Sequence, residues 1–126
     1  MSVKAILINP TQRTIEYINI PTNKGEAKLE ELQKCVDGYI CGVGYINPTL
    51  TECGFKDDFI YVNDDGLFNS SFDYVKIKGY LQQVYRGNML IVGSDGEGGT
   101  NNVKMTVNEA KKLVTFIAKE NIREHI

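Results

Sequence analysis

Apolar residues fall in short β-type runs through most of the chain and at helical spacing in two places. Ala5 to Ile8 is apolar, Asn9-Pro10-Thr11-Gln12-Arg13 breaks it, and Thr14 to Ile20 resumes with Ile15, Tyr17, Ile18 and Ile20. Two such runs around a proline-containing break predict a hairpin, with Pro21 ending the second strand. From Glu26 to Val36, Leu29, Leu32 and Val36 recur at helical spacing with Glu30, Glu31 and Lys34 between them, which predicts a short helix. Gly38 is placed to close it in the left-handed conformation.

Tyr39 to Ile46 reads as a strand whose alternation puts Ile40, Gly42, Gly44 and Ile46 on one face. Two glycines on one face leave a bare backbone strip for a helix, an aromatic ring or a ligand. Asn47 to Asp58 reads as a polar loop, Phe59 to Val62 as a strand and Asn63-Asp64-Asp65-Gly66 as a tight turn. Leu67 to Asp73 is irregular. Tyr74 to Ile77 and Met89 to Val92 are two more strands, and Gly93 to Asn102, with four glycines, reads as a mobile surface loop. The C-terminal helix is the best specified. Thr106 and Glu109 have capping-box spacing, and Val107, Ala110, Leu113, Val114, Ile117 and Ala118 form an apolar stripe with Lys111, Lys112 and Lys119 outside it. The order implies a single α+β domain over residues 1–126, a mostly antiparallel sheet with two helices, the longer at the C-terminus.

Composition bounds what such a domain does. A chain of 126 residues with a 42% apolar share can bury a core without disulfide staples. The formal net charge of -2 is wrong for a nonspecific nucleic-acid binder, which needs a basic face, so no direct nucleic-acid binding is expected. No apolar run reaches the ~20 residues of a membrane span, and the N-terminus runs straight into a strand with no signal peptide. Cys35, Cys41 and Cys53 are odd in number and lack Cys-x-x-Cys spacing, so three reduced thiols, two or more of them buried, are expected in a cytoplasmic protein.

Candidate chemistry is sparse. Gly42-Val43-Gly44 lacks the third glycine and following helix of a dinucleotide fingerprint, and Gly93 to Gly99 lacks the Lys-Ser/Thr ending of a phosphate loop. Asp57, Asp58, Asp64 and Asp65 miss the alternation of a calcium loop and read as solvated acids. Asp95 and Glu97 sit in a glycine-flanked loop, a poor place for paired acid–base carboxylates. His125, near the C-terminus, is the only histidine base a nucleophile would have. No catalytic residue, metal site or cofactor is therefore expected. What remains is a group suited to anion capture. Tyr80 and Tyr85 offer stacking faces, and Arg86 a planar phosphate donor. Asn88 offers a polar edge. Gly93, Ser94 and Asp95 open a loop whose N–H groups can cup an anion. Lys76 and Lys78 alternate on one strand face nearby.

Four segments together resemble a known family. They are Ala-Ile-Leu-Ile-Asn-Pro, Leu-Glu-Glu-Leu-Gln-x-x-Val-Asp-Gly-Tyr-Ile, Ile-Tyr-Val-Asn-Asp-Asp-Gly-Leu and Gly-Asn-Met-Leu-Ile-Val-Gly-Ser-Asp-x-Glu-Gly. The family comprises small phage and mobile-element proteins that carry only an unknown-function domain name. The resemblance runs from Ala5 to about Gly98, with extra residues here around Thr49–Lys56. Small phage proteins of this general kind are often counter-defence factors, some inhibiting a nuclease and others acting as sponges for cyclic nucleotide signals, like the phage antagonists of Thoeris immunity. Size, layout and lack of catalytic groups resemble the sponges. The implied function is capture of a small cyclic nucleotide, such as a cyclic ADP-ribose isomer, without cleavage. A homo-oligomer is implied, because subunit interfaces make deep pockets. The alternative is a protein–protein inhibitor of a host restriction or CRISPR nuclease.

Overall fold

The fold is described from a computed structural model over residues 2–23, 26–46, 58–63, 73–77, 84–94 and 100–124. Among the described residues, ten strands and two α-helices follow one another: β1 (Ser2–Asn9), β2 (Thr14–Asn23), β3 (Glu26–Ala27), α1 (Leu29–Val36), β4 (Ile40–Ile46), β5 (Asp58–Asn63), β6 (Tyr74–Ile77), β7 (Tyr85–Arg86), β8 (Met89–Ser94), β9 (Thr100–Asn101), α2 (Val107–Leu113) and β10 (Val114–Ile117), with a 3-10 segment at Lys119–Glu124. The larger sheet has the order β3-β2-β1-β8-β5-β4 with β9 on β8, the smaller the order β10-β6-β7, and every pairing among the described residues is antiparallel. The expected α+β class with a mostly antiparallel sheet and two helices is what the chain forms.

Strand alternation sorts the apolar residues into two cores. On one face of the large sheet, Ala5, Ile20, Leu90 and Val92 pack with Leu32 and Val36 of α1. On the other, Ile6, Ile8, Ile60, Val62, Met89 and Ile91 pack with Val75 and Ile77 of the small sheet and Met105 and Ala110 beside and on α2. The result is three layers, with α1 on one side and the small sheet plus α2 on the other. β8 lies in the middle and is buried along its whole length.

Polar side chains tie the layers. Asp58 has no exposed surface, and its carboxylate accepts the N–H groups of Lys104 (2.8 Å) and Met105 (2.7 Å). It is not the solvated loop acid its neighbours suggest. It opens β5, and there it meets main-chain donors left over just before α2. Residues 100–103 insert where β1 and β8 part: Gly93 pairs with Asn101, and Lys4 exchanges bonds with Asn102 Oδ1 and Val103 N. A side chain at Gly93 would run into the Asn102 carbonyl, so glycine is required there for close packing rather than for loop freedom.

Several local expectations are corrected. The first helix starts at Leu29, not Glu26, because Glu26 and Ala27 find ladder partners in Asn23 and Thr22, and Lys28 at the cap supplies no side-chain bond. Its cap in the left-handed conformation is Asp37 (φ 60°), followed by Gly38, whose φ is also positive at 155°. Gly38 also leaves room for Asn63, whose amide donates to the Val36 and Asp37 carbonyls. β2 runs past Pro21, which stands opposite Ser2 at the start of β1. A bulge between Gly42 and Gly44 shifts β4 so that Gly42 faces Tyr61 and Gly44 faces Ile60. The two glycines therefore lie on opposite faces, and the ring of Phe59 covers Gly42, a Cβ there falling 2.6 Å from it. Gly93 and Ser94 belong to β8, not to a loop.

The capping box at Thr106 and Glu109 forms as expected. The helix it starts has seven residues, against eight in α1, and ends at Leu113. The stripe predicted to continue to Ala118 breaks because Val114-Thr115-Phe116-Ile117, rich in β-branched residues, pairs with β6 instead. Asp58→Ala leaves two main-chain donors without their acceptor and is expected to cost about 3 kcal/mol or more. Thr106→Ala is expected to cost about 1 kcal/mol. Urea melts of both variants check the order, and equal losses would mean Asp58 is not the tie between β5 and the 104–105 segment.

Candidate functional site

The small sheet carries the most concentrated binding chemistry among the described residues, and alternation decides what it shows. Val75 and Ile77 of β6 are buried in the core, so Tyr74 and Lys76 face the opposite way. Tyr85 pairs with Val75 and packs on the same core. Arg86 pairs with Tyr74 on the outer face, with its guanidinium carbon 4.9 Å from the centre of the Tyr74 ring. On β10, Val114 and Phe116 pack inward, leaving Thr115 opposite Lys76 and Ile117 opposite Tyr74. The outer face thus groups Arg86, Tyr74, Lys76 and Thr115, the first three half-buried and Thr115 exposed. Ile117 is buried at one end of it. A guanidinium held against a ring is oriented before any ligand arrives, and its N–H groups suit phosphate or carboxylate.

Of the residues chosen from sequence, Arg86 stands on this face. Tyr85 does not: its ring packs on the core, and the ring on the outer face is that of Tyr74. Asn88 uses its amide to hold the Cys35 carbonyl of α1 (3.0 Å). Gly93 and Ser94 lie at the far end of β8, five and six residues from Asn88, or about 17–20 Å along an extended strand. They are buried, with Gly93 packed against Asn102 and Ser94 opposite Thr100. One small ligand cannot bridge Arg86 and that end of β8. Tyr80, Asp95 and Lys78 lie outside the described residues, as do His125 and Asp57, Asp64, Asp65 and Glu97. Tyr74 was missed, although the Tyr-Val-Lys-Ile alternation contained the signal.

A family model matches residues 3–115. The chain belongs to the family described as Domain of unknown function (DUF3846). The match spans both sheets up to Thr115 of β10, so the outer face of the small sheet is part of the DUF3846 domain. No curated protein and no solved structure matches the chain. Among the described residues, no helix of this DUF3846 domain is long and apolar enough to cross a membrane, and no group of three or more His, Cys, Asp or Glu side chains is placed to hold a metal ion.

The thiols differ from expectation. Cys35 and Cys41 are both free, but Cys41 is exposed and Cys35 only half-buried. At least two buried thiols are thus excluded; Cys53 lies outside the described residues. Burial pushes the Cys35 thiol above its ordinary value, and the nearby charges of Glu31 and Asp37 push the same way. Since the thiolate is the nucleophile, iodoacetamide at neutral pH should label Cys41 first, with Cys35 labelling still gaining as pH rises above 9.0. Mass spectrometry of peptides over time reads this directly. Labelling of Cys35 ahead of Cys41 would show that α1 does not shield it.

Proposed function

We propose that this protein is a non-catalytic binder that captures and sequesters a small cyclic nucleotide immune signal, such as a cyclic ADP-ribose isomer, as a phage counter-defence factor in the host cytoplasm. The observation that carries this reading is the Arg86 guanidinium stacked on Tyr74 beside Lys76 and Thr115. Phosphate oxygens suit the cations and the hydroxyl, and a base stacks on an aromatic ring or on the plane of a guanidinium. Sequestration asks for affinity and stoichiometry only, so this face needs no general base or nucleophile. Thr115 is exposed on this face, whereas a tightly held small ligand is usually enclosed. A second copy of the chain closing over it is therefore part of the proposal.

The protein–protein inhibitor of a host nuclease remains as a second reading, favoured by the edge of the large sheet. β4 has a partner on one side among the described residues, and Tyr39, just before it, is 68% exposed. Such an edge and ring suit a macromolecular partner.

Calorimetry with cyclic ADP-ribose isomers and cyclic di- and trinucleotides separates the two. Wild-type protein is expected to bind one of them. Arg86→Ala should weaken that binding by about tenfold to a hundredfold through the lost charged hydrogen bonds, and Tyr74→Ala by somewhat less. Tyr85→Ala should instead lower stability, because its ring packs on the core. Wild-type protein that binds none of these nucleotides would overturn the sequestration reading and leave the inhibitor reading in its place.

A further inference from the structure

The outer face of the small sheet holds two cations, and their positions relative to each other are set by strand register. Arg86 stands directly opposite Tyr74, and Lys76 lies two residues further along the same strand as Tyr74. Arg86 and Lys76 are therefore diagonal neighbours, about 7–8 Å apart at their bases, while Thr115 stands directly across from Lys76 at about 5 Å. Arg86 is braced by the Tyr74 ring. Lys76 is a compact charge on a flexible four-carbon stem that can swing toward Arg86 or toward Thr115.

Asp73 precedes Tyr74 and so has the opposite parity, and its carboxylate accepts the Lys119 N–H at 2.9 Å. Two like charges on one small face attract a dianion more than a monoanion, and the diagonal spacing lets each reach a different phosphate. A single phosphate held by the braced guanidinium leaves Lys76 and Thr115 with only a share of the same oxygens. A second phosphate linked to the first extends onto them.

We infer that Lys76, with the Thr115 hydroxyl, is the second anion-reading point of this face, and that the face selects ligands carrying two linked phosphates over those carrying one. This rests on the reading of the face as a nucleotide site and narrows its ligand to the nucleoside diphosphate class, including cyclic and ribosylated forms joined through a pyrophosphate.

The test compares AMP with ADP by calorimetry on the wild type, Lys76→Ala and Lys76→Gln, with thermal melts to confirm that each variant is folded. Wild-type protein should bind ADP about tenfold more tightly than AMP, and both substitutions should bring the ratio close to one by removing a charged hydrogen bond. Lys76→Gln keeps much of the side-chain stem on the sheet, so it stands in if Lys76→Ala unfolds. Equal affinities in the wild type, absence of binding to both AMP and ADP, or a ratio that survives both substitutions would overturn this inference. Binding of a cyclic nucleotide in the same calorimeter would then leave the broader reading intact. Failure of the wild type to bind any nucleotide would overturn both.

Discussion

Everything in this fold depends on burying β8 on both of its faces. Met89, Leu90, Ile91 and Val92 have at most 2% of their surface exposed, and alternation sends them to opposite sides. A fully buried apolar side chain is worth about 1.5–3 kcal/mol, so a strand with four of them is stable only when both faces are covered. α1 covers one face. The other requires a second layer, which the small sheet and α2 supply. An ordinary antiparallel sheet with one wet face would leave Met89 and Ile91 in water.

A strand buried on both sides also forces the polar groups around it to find partners inside. Asn88 at its start reaches the Cys35 carbonyl, Asn63 on the neighbouring strand holds the end of α1, and Asp58 gathers the two N–H groups ahead of α2. Among the described residues no buried side-chain nitrogen or oxygen lacks a hydrogen-bond partner. Buried polar groups cost free energy unless paired, and here each pair also joins two layers. The same residues that satisfy the interior therefore fix how α1 and α2 sit on the sheet.

The small sheet inherits its orientation from this arrangement. Its inner residues, Val75, Ile77 and Tyr85, are held by the core over β8. Its outer residues consequently share one face: Arg86 on Tyr74, with Lys76 and Thr115 beside them. Binding surfaces are more precise on strands than on loops because the backbone beneath them is already ordered. The order of the backbone beneath this polar group is the physical ground for proposing it as a binding surface.

Local pattern alone was enough for the class of the fold, the β1–β2 hairpin, the position of α1 within a few residues, the capping box of α2 and the strands Tyr74–Ile77 and Met89–Val92. Each follows from periodicity or cap chemistry within a dozen residues. Arg86 was also visible, as a cation among tyrosines. The rest depended on contacts far apart in sequence. Val114–Ile117 leaves the helical stripe because β6, about 40 residues earlier, offers a ladder. Asp58 turns from a surface acid into a buried acceptor because residues 104–105 pass over it. Tyr85, expected as an exposed stacking face, turns into the core because β7 is only two residues long, too short to show a period, and its facing is set by its pairing with β6. Gly93 and Ser94 are separated from Arg86 because β8 is straight and extended between them. Side-chain facing in short strands is a property of register, and register is decided by which neighbour a strand finds.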